Sequence, residues 1–124
     1  DEALLLGATG NRLDHTFCNI GIVLKFYPKI KISLIAEDSF LKTYAGNVEL
    51  KTFPGETVSL YGISPKTKIT SIGLKYELKN AALPFGIRES TSNVAKKNSM
   101  KFKVRNGVIF VIRDLKTMIE HDLF

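Results

Sequence analysis

The sequence predicts a chain of two characters: a β-α-β piece of an α/β lobe, followed by an antiparallel β-sandwich. Three observations carry this. An apolar run, Ala3–Leu6, leads through a glycine-punctuated loop into a helical pattern and then a second apolar run. Beyond Glu37-Asp38, short alternating segments recur with turn residues between them. No further helical stretch of any length occurs before the last ten residues or so. The class is therefore α+β and mainly β, with residues 1–38 closing an α/β lobe and residues 39–124 forming an all-β domain.

Ala3–Leu6 is continuous and apolar, as a strand buried on both faces would be. From Asp14 onward Phe17, Ile20, Gly21 and Leu24 recur at three- and four-residue spacing, predicting a helix whose apolar face they form. Asp14 suits its N-cap, and Pro28 stops it after Tyr27. Lys31–Ala36 is the second strand. Phe40–Ala45, Val48–Phe53, Thr57–Ile63, Lys68–Ile72, Leu74–Leu78, Met100–Arg105 and Val108–Ile112 then read as short strands. Gly46-Asn47 and Asn106-Gly107 suit two-residue hairpins, because these residues tolerate positive φ. Pro54-Gly55 suits a type II turn, Ser64-Pro65-Lys66 closes another connection, and Leu115–Leu123 suits a terminal helix.

Composition narrows the function classes. With 44% hydrophobic and 24% charged residues in 124, a packed core is available and disorder is excluded. The longest apolar run, Ile20–Leu24, falls far short of the ~18 residues of a membrane span. The single cysteine, Cys18, cannot close an internal disulfide, which points to a reducing, cytoplasmic setting. The net charge of +6 invites a nucleic-acid reading, but the lysines are spread along the chain, as on solvated strand faces. The chain opens on Asp1, directly before an apolar strand, which leads us to expect further residues upstream; two parallel strands and one helix make a poor core alone.

Chemistry concentrates in the loop between Leu6 and Asp14. A glycine-rich turn into a helix N-terminus presents free N–H groups and a positive dipole end to an anion. It is neither a P-loop nor a dinucleotide fingerprint, since Gly7 and Gly10 are spaced GxxG and no Gly-Lys-Ser/Thr follows. Arg12 could fork onto phosphate oxygens, and Asp14 could hold Mg²⁺ or a substrate hydroxyl; on spacing alone both could equally be a surface cation and a helix cap. Among single residues, Cys18 is expected to be a small buried side chain, and Phe85, between Pro84 and Gly86, a core aromatic in a turn in preference to a ring stacked on a ligand. His15 and His121 are too isolated for a metal site.

The segment GATGNRLDHTFCN resembles the G-x-x-G-G-R-x-D-H-x-x-x-N segment of thiamine pyrophosphokinases, with Gly7, Gly10, Arg12, Asp14, His15 and Asn19 on the pattern. Asn11 stands where that family usually has a second glycine. Downstream, Thr57–Leu60, Gly73–Leu78 and the run Ser90-Thr91-Ser92-Asn93 resemble further segments of the same family in the same order. Without the resemblance, this last run reads as a polar loop.

The resemblance implies transfer of a pyrophosphoryl group from ATP to thiamine, with Mg²⁺, at sites completed across a homodimer. It implies Gly7, Gly10, Asn11 and Arg12 at the phosphates, Arg12 and Asp14 as catalytic groups with Asp14 by the metal, and Ser90, Ser92 and Asn93 on the thiamine pyrimidine. It also implies that the main Mg²⁺ ligands lie in an N-terminal half that nothing in this chain matches, and hence that the chain as given cannot catalyse. The competing class is a non-catalytic basic β-domain that binds a small ligand or an oligonucleotide.

Overall fold

The computed structural model describes residues 1–6 and 12–124; the sequence-predicted phosphate contacts Gly7, Gly10 and Asn11 lie outside the described residues. Strand β1 (Glu2–Leu6) runs into helix α1 (Leu13–Phe26), which returns to β2 (Lys31–Ala36), laid parallel to β1. Then follow β3 (Ser39–Lys51), β4 (Thr57–Gly62), β5 (Lys68–Ile72), β6 (Ser90–Val94), β7 (Ser99–Asp114) and helix α2 (Leu115–Glu120). Hydrogen bonding joins the strands in the order β1-β2-β3-β7-β4-β6, with β5 also on β7, and every pairing except β1–β2 is antiparallel. The sheet is thus mixed and continuous across residues 38 and 39, where the sequence suggests a change of domain.

That continuity rests on a hairpin the sequence did not announce. Ala36 pairs with Ser39 across a two-residue turn, Glu37-Asp38, and Glu37 adopts φ 46°. The two predicted hairpins, by contrast, are not hairpins. Gly46-Asn47 and Asn106-Gly107 lie inside two long strands that pair with each other almost throughout. Their positive φ values (70° at Gly46, 63° at Asn106, 142° at Gly107) build a bend instead. Tyr44 pairs with Ile109 but Gly46 with Val104, so β7 carries extra residues at the bend. The insertion reverses the alternation of β7: even residues Met100, Phe102 and Val104 face the main core before it, and odd residues Ile109 and Val111 after it.

The main core holds these residues together with Val58, Leu60, Ile69, Leu74, Leu78 and Leu83. A second cluster, Val23, Ile32, Leu34, Leu41 and Phe110, seats α1 on the sheet. Here the helix departs from expectation. Val23 is its buried residue, whereas Phe17 is 59% exposed. The helix begins at Leu13 with Arg12 as N-cap, a side chain with no acceptor to offer, and Asp14 sits inside the first turn with its carboxylate on the Arg12 guanidinium. Strand β1 is an edge rather than a doubly buried strand, leaving Leu4 and Leu6 exposed. Cys18 and Phe85 are exposed as well, in place of the core positions predicted for them.

Leu74–Leu78 is not a strand; Leu74 makes one isolated bridge, to Ala95. Pro54-Gly55 does form its turn, with Gly55 at φ 95° and Glu56 N–H bonded to the Phe53 carbonyl at 2.9 Å. Glu56 then turns inward to a fully buried ion pair with Arg113, Nε to Oε2 at 2.6 Å. Beside Arg113, burial pushes the Tyr44 phenol up to about 12.

Helix α2 is capped by Asp114, whose Oδ2 accepts from the Thr117 N–H (2.8 Å) and hydroxyl (2.7 Å). These bonds hold the Asp114 carboxyl below its ordinary value. A depressed folded-state value contributes stability above about pH 4 that is lost as pH falls through it. Asp114→Asn is therefore expected to flatten the acid limb of a stability-against-pH curve below about pH 4.5 relative to the parent. An unchanged acid limb would refute this role for the cap.

Candidate functional site

The run Ser90-Thr91-Ser92-Asn93, a loop by its residues, folds as the bulged strand β6 on the edge of the sheet. Its register on β4 slips between Val58–Asn93 and Leu60–Ser90, and Ser92 takes φ 55° at the slip. Small polar residues permit this: Ser92 N–H is received by the Ser59 hydroxyl (2.9 Å) instead of a backbone carbonyl. Thr91 and Ser92 are exposed and Ser90 is half-buried. The Thr91 hydroxyl meets the Tyr61 hydroxyl at 3.2 Å. Among the described residues the Ser92 hydroxyl has no hydrogen-bond partner, so it stands ready for one.

Asn93 is different in kind: 1% exposed and bonded on every side. Its Oδ1 accepts from the N–H groups of Tyr76 (3.0 Å) and Val94 (2.9 Å). Its Nδ2 donates to the Tyr76 carbonyl (2.7 Å) and the Ser90 hydroxyl (3.0 Å). Residues Gly73–Tyr76 are also bound to the end of β6 by Lys75 N–H to the Val94 carbonyl and Lys96 N–H to that of Gly73. Tyr76 is 62% exposed, with the Lys75 ammonium 5.4 Å from its ring centroid.

Between α1 and β4 lies an apolar hollow of about 410 Å³, whose walls include Phe17, Leu24, Tyr61, Ile63, Phe85 and Phe110. Tyr61 lines it with its ring and reaches Thr91 with its hydroxyl, so hollow and hydroxyl-bearing strand meet. An apolar pocket with a few polar groups at one side suits a flat ring that carries polar substituents. The sequence did not single out Phe17 or Tyr61 for this; the one available signal was Phe17, an aromatic on a helix face otherwise aliphatic.

Arg12 and Asp14 sit at the start of α1 as a forked pair, Nε to Oδ1 at 3.2 Å and Nη2 to Oδ2 at 2.6 Å. The guanidinium holds the Asp14 carboxyl below its ordinary value. Both side chains are about two-thirds exposed, so solvent can replace either partner readily. No hydrogen bond or ion pair between described residues joins them to Ser90–Asn93. Among the described residues no three His, Cys, Asp or Glu side chains cluster, and the Asp14 carboxylate is engaged by Arg12. No helix among them is long and apolar enough to cross a membrane.

Comparison with known proteins places this geometry. Residues 47–109, half of the chain, match the family model "Thiamin pyrophosphokinase, vitamin B1 binding domain". Thiamin pyrophosphokinase 1 of Caenorhabditis elegans is 31% identical over 118 residues, 90% of this chain and 49% of that protein. Thiamine pyrophosphokinase 1 of Arabidopsis thaliana is 29% identical over 122 residues, 94% of this chain and 45% of that protein. The solved structure of Bacillus subtilis thiamine pyrophosphokinase superposes with a TM-score of 0.81 at 27% identity, covering 92% of this chain and 55% of its own. This chain thus spans about half the length of the relatives it matches. The matched residues run from the β3 bend through Gly73–Tyr76 and β6 to the bend of β7, and on that match the chain belongs to the thiamine pyrophosphokinase family.

Proposed function

We propose that this chain is the thiamine-binding part of a thiamine pyrophosphokinase, an enzyme that moves a pyrophosphoryl group from ATP to the thiamine hydroxyl, giving thiamine diphosphate and AMP. The observation that supports it best is strand β6, whose Thr91 hydroxyl meets Tyr61 at the edge of an apolar hollow and whose Ser92 is exposed beside it. In this proposal Ser90, Ser92 and Asn93 serve the pyrimidine, and the hollow receives apolar ring surface. Gly7, Gly10, Asn11 and Arg12 face the polyphosphate, Arg12 exchanging Asp14 for phosphate oxygens. Asp14, so released, faces the attacking hydroxyl. Residues 1–38 would close a nucleotide-binding lobe, residues 39–124 would form the thiamine-binding domain, and a cytoplasmic homodimer would complete each site.

Mg²⁺ would accompany ATP, but its ligands must come largely from beyond the described residues, and no step is assigned to it here. Since the chain spans under half of the curated relatives above, we also propose that it does not turn over alone.

Thiamine at about 100 times its Kd should raise the melting temperature measurably, a stabilisation of about 2.7 kcal/mol. Ser92→Ala should weaken thiamine binding about fivefold, the worth of one hydrogen bond near 1 kcal/mol. Equal affinity of the Ser92→Ala variant would remove Ser92 from the site. A second reading draws on Lys101, Lys103 and Arg105, exposed along one face of β7: an oligonucleotide-binding β-domain. Salt-sensitive RNA binding without any thiamine effect would favour it.

A further inference from the structure

We propose that Asn93 acts on the site from within, as a positioning residue: its carboxamide clamps Gly73–Tyr76 to β6 and so sets where Tyr76 and the Ser90–Ser92 hydroxyls stand. The ligand-related half of this inference rests on the thiamine reading above; the clamp itself does not.

The geometry leaves Asn93 little capacity for a ligand. A carboxamide has two donor hydrogens and one acceptor oxygen with two lone pairs. Both hydrogens are used, on the Tyr76 carbonyl and Ser90 Oγ, and both lone pairs, by the Tyr76 and Val94 amides. The group is 1% exposed, so a direct contact would require it to abandon a buried, satisfied network.

The reason for the clamp lies in the register of Gly73–Tyr76 on the end of β6. Gly73–Lys75 pair with Val94–Lys96 as in an ordinary antiparallel ladder, through the Lys75 N–H to Val94 carbonyl and Lys96 N–H to Gly73 carbonyl bonds. At Ser92 the backbone turns to φ 55°, and its N–H goes to Ser59. In that register Tyr76 falls opposite Asn93 in a pair that no backbone bonds join, as Leu74 does opposite Ala95, so its N–H and carbonyl are left to other partners. The Asn93 side chain takes both, imitating the backbone of a neighbouring strand. It also draws Val94 N–H and fixes the Ser90 hydroxyl as an acceptor. One side chain thus ties together the exposed Tyr76 ring, the Ser90 hydroxyl and the bulge that turns Ser92 outward.

Amide hydrogen exchange and thiamine affinity of the parent, Asn93→Ala and Asn93→Asp chains test this. Asn93→Ala should speed exchange at Tyr76 and Val94 at least tenfold while Leu60 and Val111, in the main core, change by less than twofold. Asn93→Asp keeps the acceptor for both amides but sets a carboxylate oxygen against the Tyr76 carbonyl. It should protect Tyr76 partly at pH 7 and more fully as acid protonates the carboxyl, a recovery that a filler of space would not show. Thiamine affinity should fall at least tenfold in Asn93→Ala and track Tyr76 protection across the series. Unchanged exchange at Tyr76 overturns the clamp. Lost affinity with intact Tyr76 protection overturns the positioning role in favour of direct contact. Failure of the parent to bind thiamine, with the exchange pattern as expected, overturns the thiamine reading and leaves the clamp standing.

Discussion

Glu56→Ala is expected to destabilise the fold by roughly 3–5 kcal/mol, the cost of leaving one partner of a buried ion pair uncompensated. Arg113 is 3% exposed and Glu56 not at all. The guanidinium forks onto both carboxylate oxygens, at 2.6 and 2.8 Å, and gives a further hydrogen to the Lys51 carbonyl at 2.8 Å. Glu56 Oε1 in turn accepts from Phe53 N–H. With Glu56 gone, Arg113 keeps one protein acceptor and its full charge where water cannot reach. For a chain of this length the loss should lower the melting midpoint by on the order of 10 °C or more.

Removing the charge along with its partner should hurt less. A chain carrying both Glu56→Leu and Arg113→Met is expected to recover a good part of the stability lost in Glu56→Ala, since no unpaired ion remains. Recovery should be incomplete, because the Lys51 carbonyl and Phe53 N–H keep their losses. Urea unfolding of the three chains measures this, and a single-variant loss below about 1 kcal/mol would show that solvent reaches the pair.

Gly107→Ala comes next in expected size, at roughly 3 kcal/mol, from two penalties at one atom. Its φ of 142° belongs to a region that side chains rarely adopt, worth about 1–3 kcal/mol. A β-carbon there would also overlap the Thr67 hydroxyl, which cannot swing away without leaving the Asn106 carbonyl it bonds at 2.9 Å. In a Thr67→Ala background the overlap disappears and the backbone penalty stays. Gly107→Ala should then cost visibly less than in the parent, and a cost unchanged by Thr67→Ala would assign the whole effect to φ.

Both of these sites show where the sequence is silent. Glu56 and Arg113 stand 57 residues apart, and nothing local to either predicts the other. The turn at Pro54-Gly55 was legible because its chemistry is local, and so were the limits of β5 and most of β4. Asn106-Gly107 and Gly46-Asn47 were legible as positions of positive φ but not as what that φ accomplishes. A left-handed residue can reverse a chain or bend it, and only the partner strand decides. The true hairpin formed on Glu37-Asp38, where Asp38 favours turns but Glu37, the residue that takes φ 46°, does not.

The candidate site divides the same way. The residue types of Ser90–Asn93 were visible, yet that they form a strand depends on Ser59 and Tyr61 of β4. Phe17 and Phe85 read as core by composition, whereas the fold leaves them at the rim of the hollow. Asp14 read as the N-cap, whereas the helix starts one residue earlier, at Leu13, and places Asp14 in its first turn beside Arg12.

Strand β7 is the last strand of the chain, yet it lies at the middle of the sheet, hydrogen-bonded to β3 along one edge and to β4 and β5 along the other. A chain emerging during synthesis therefore makes β3, β4 and β5 well before the strand that joins them. Until residues 99–114 arrive, three apolar strands must wait with open edges. Native contacts between segments this far apart in sequence make for slow, late folding and prolonged exposure to aggregation. Timing, more than equilibrium stability, is the demand this topology places on the cell.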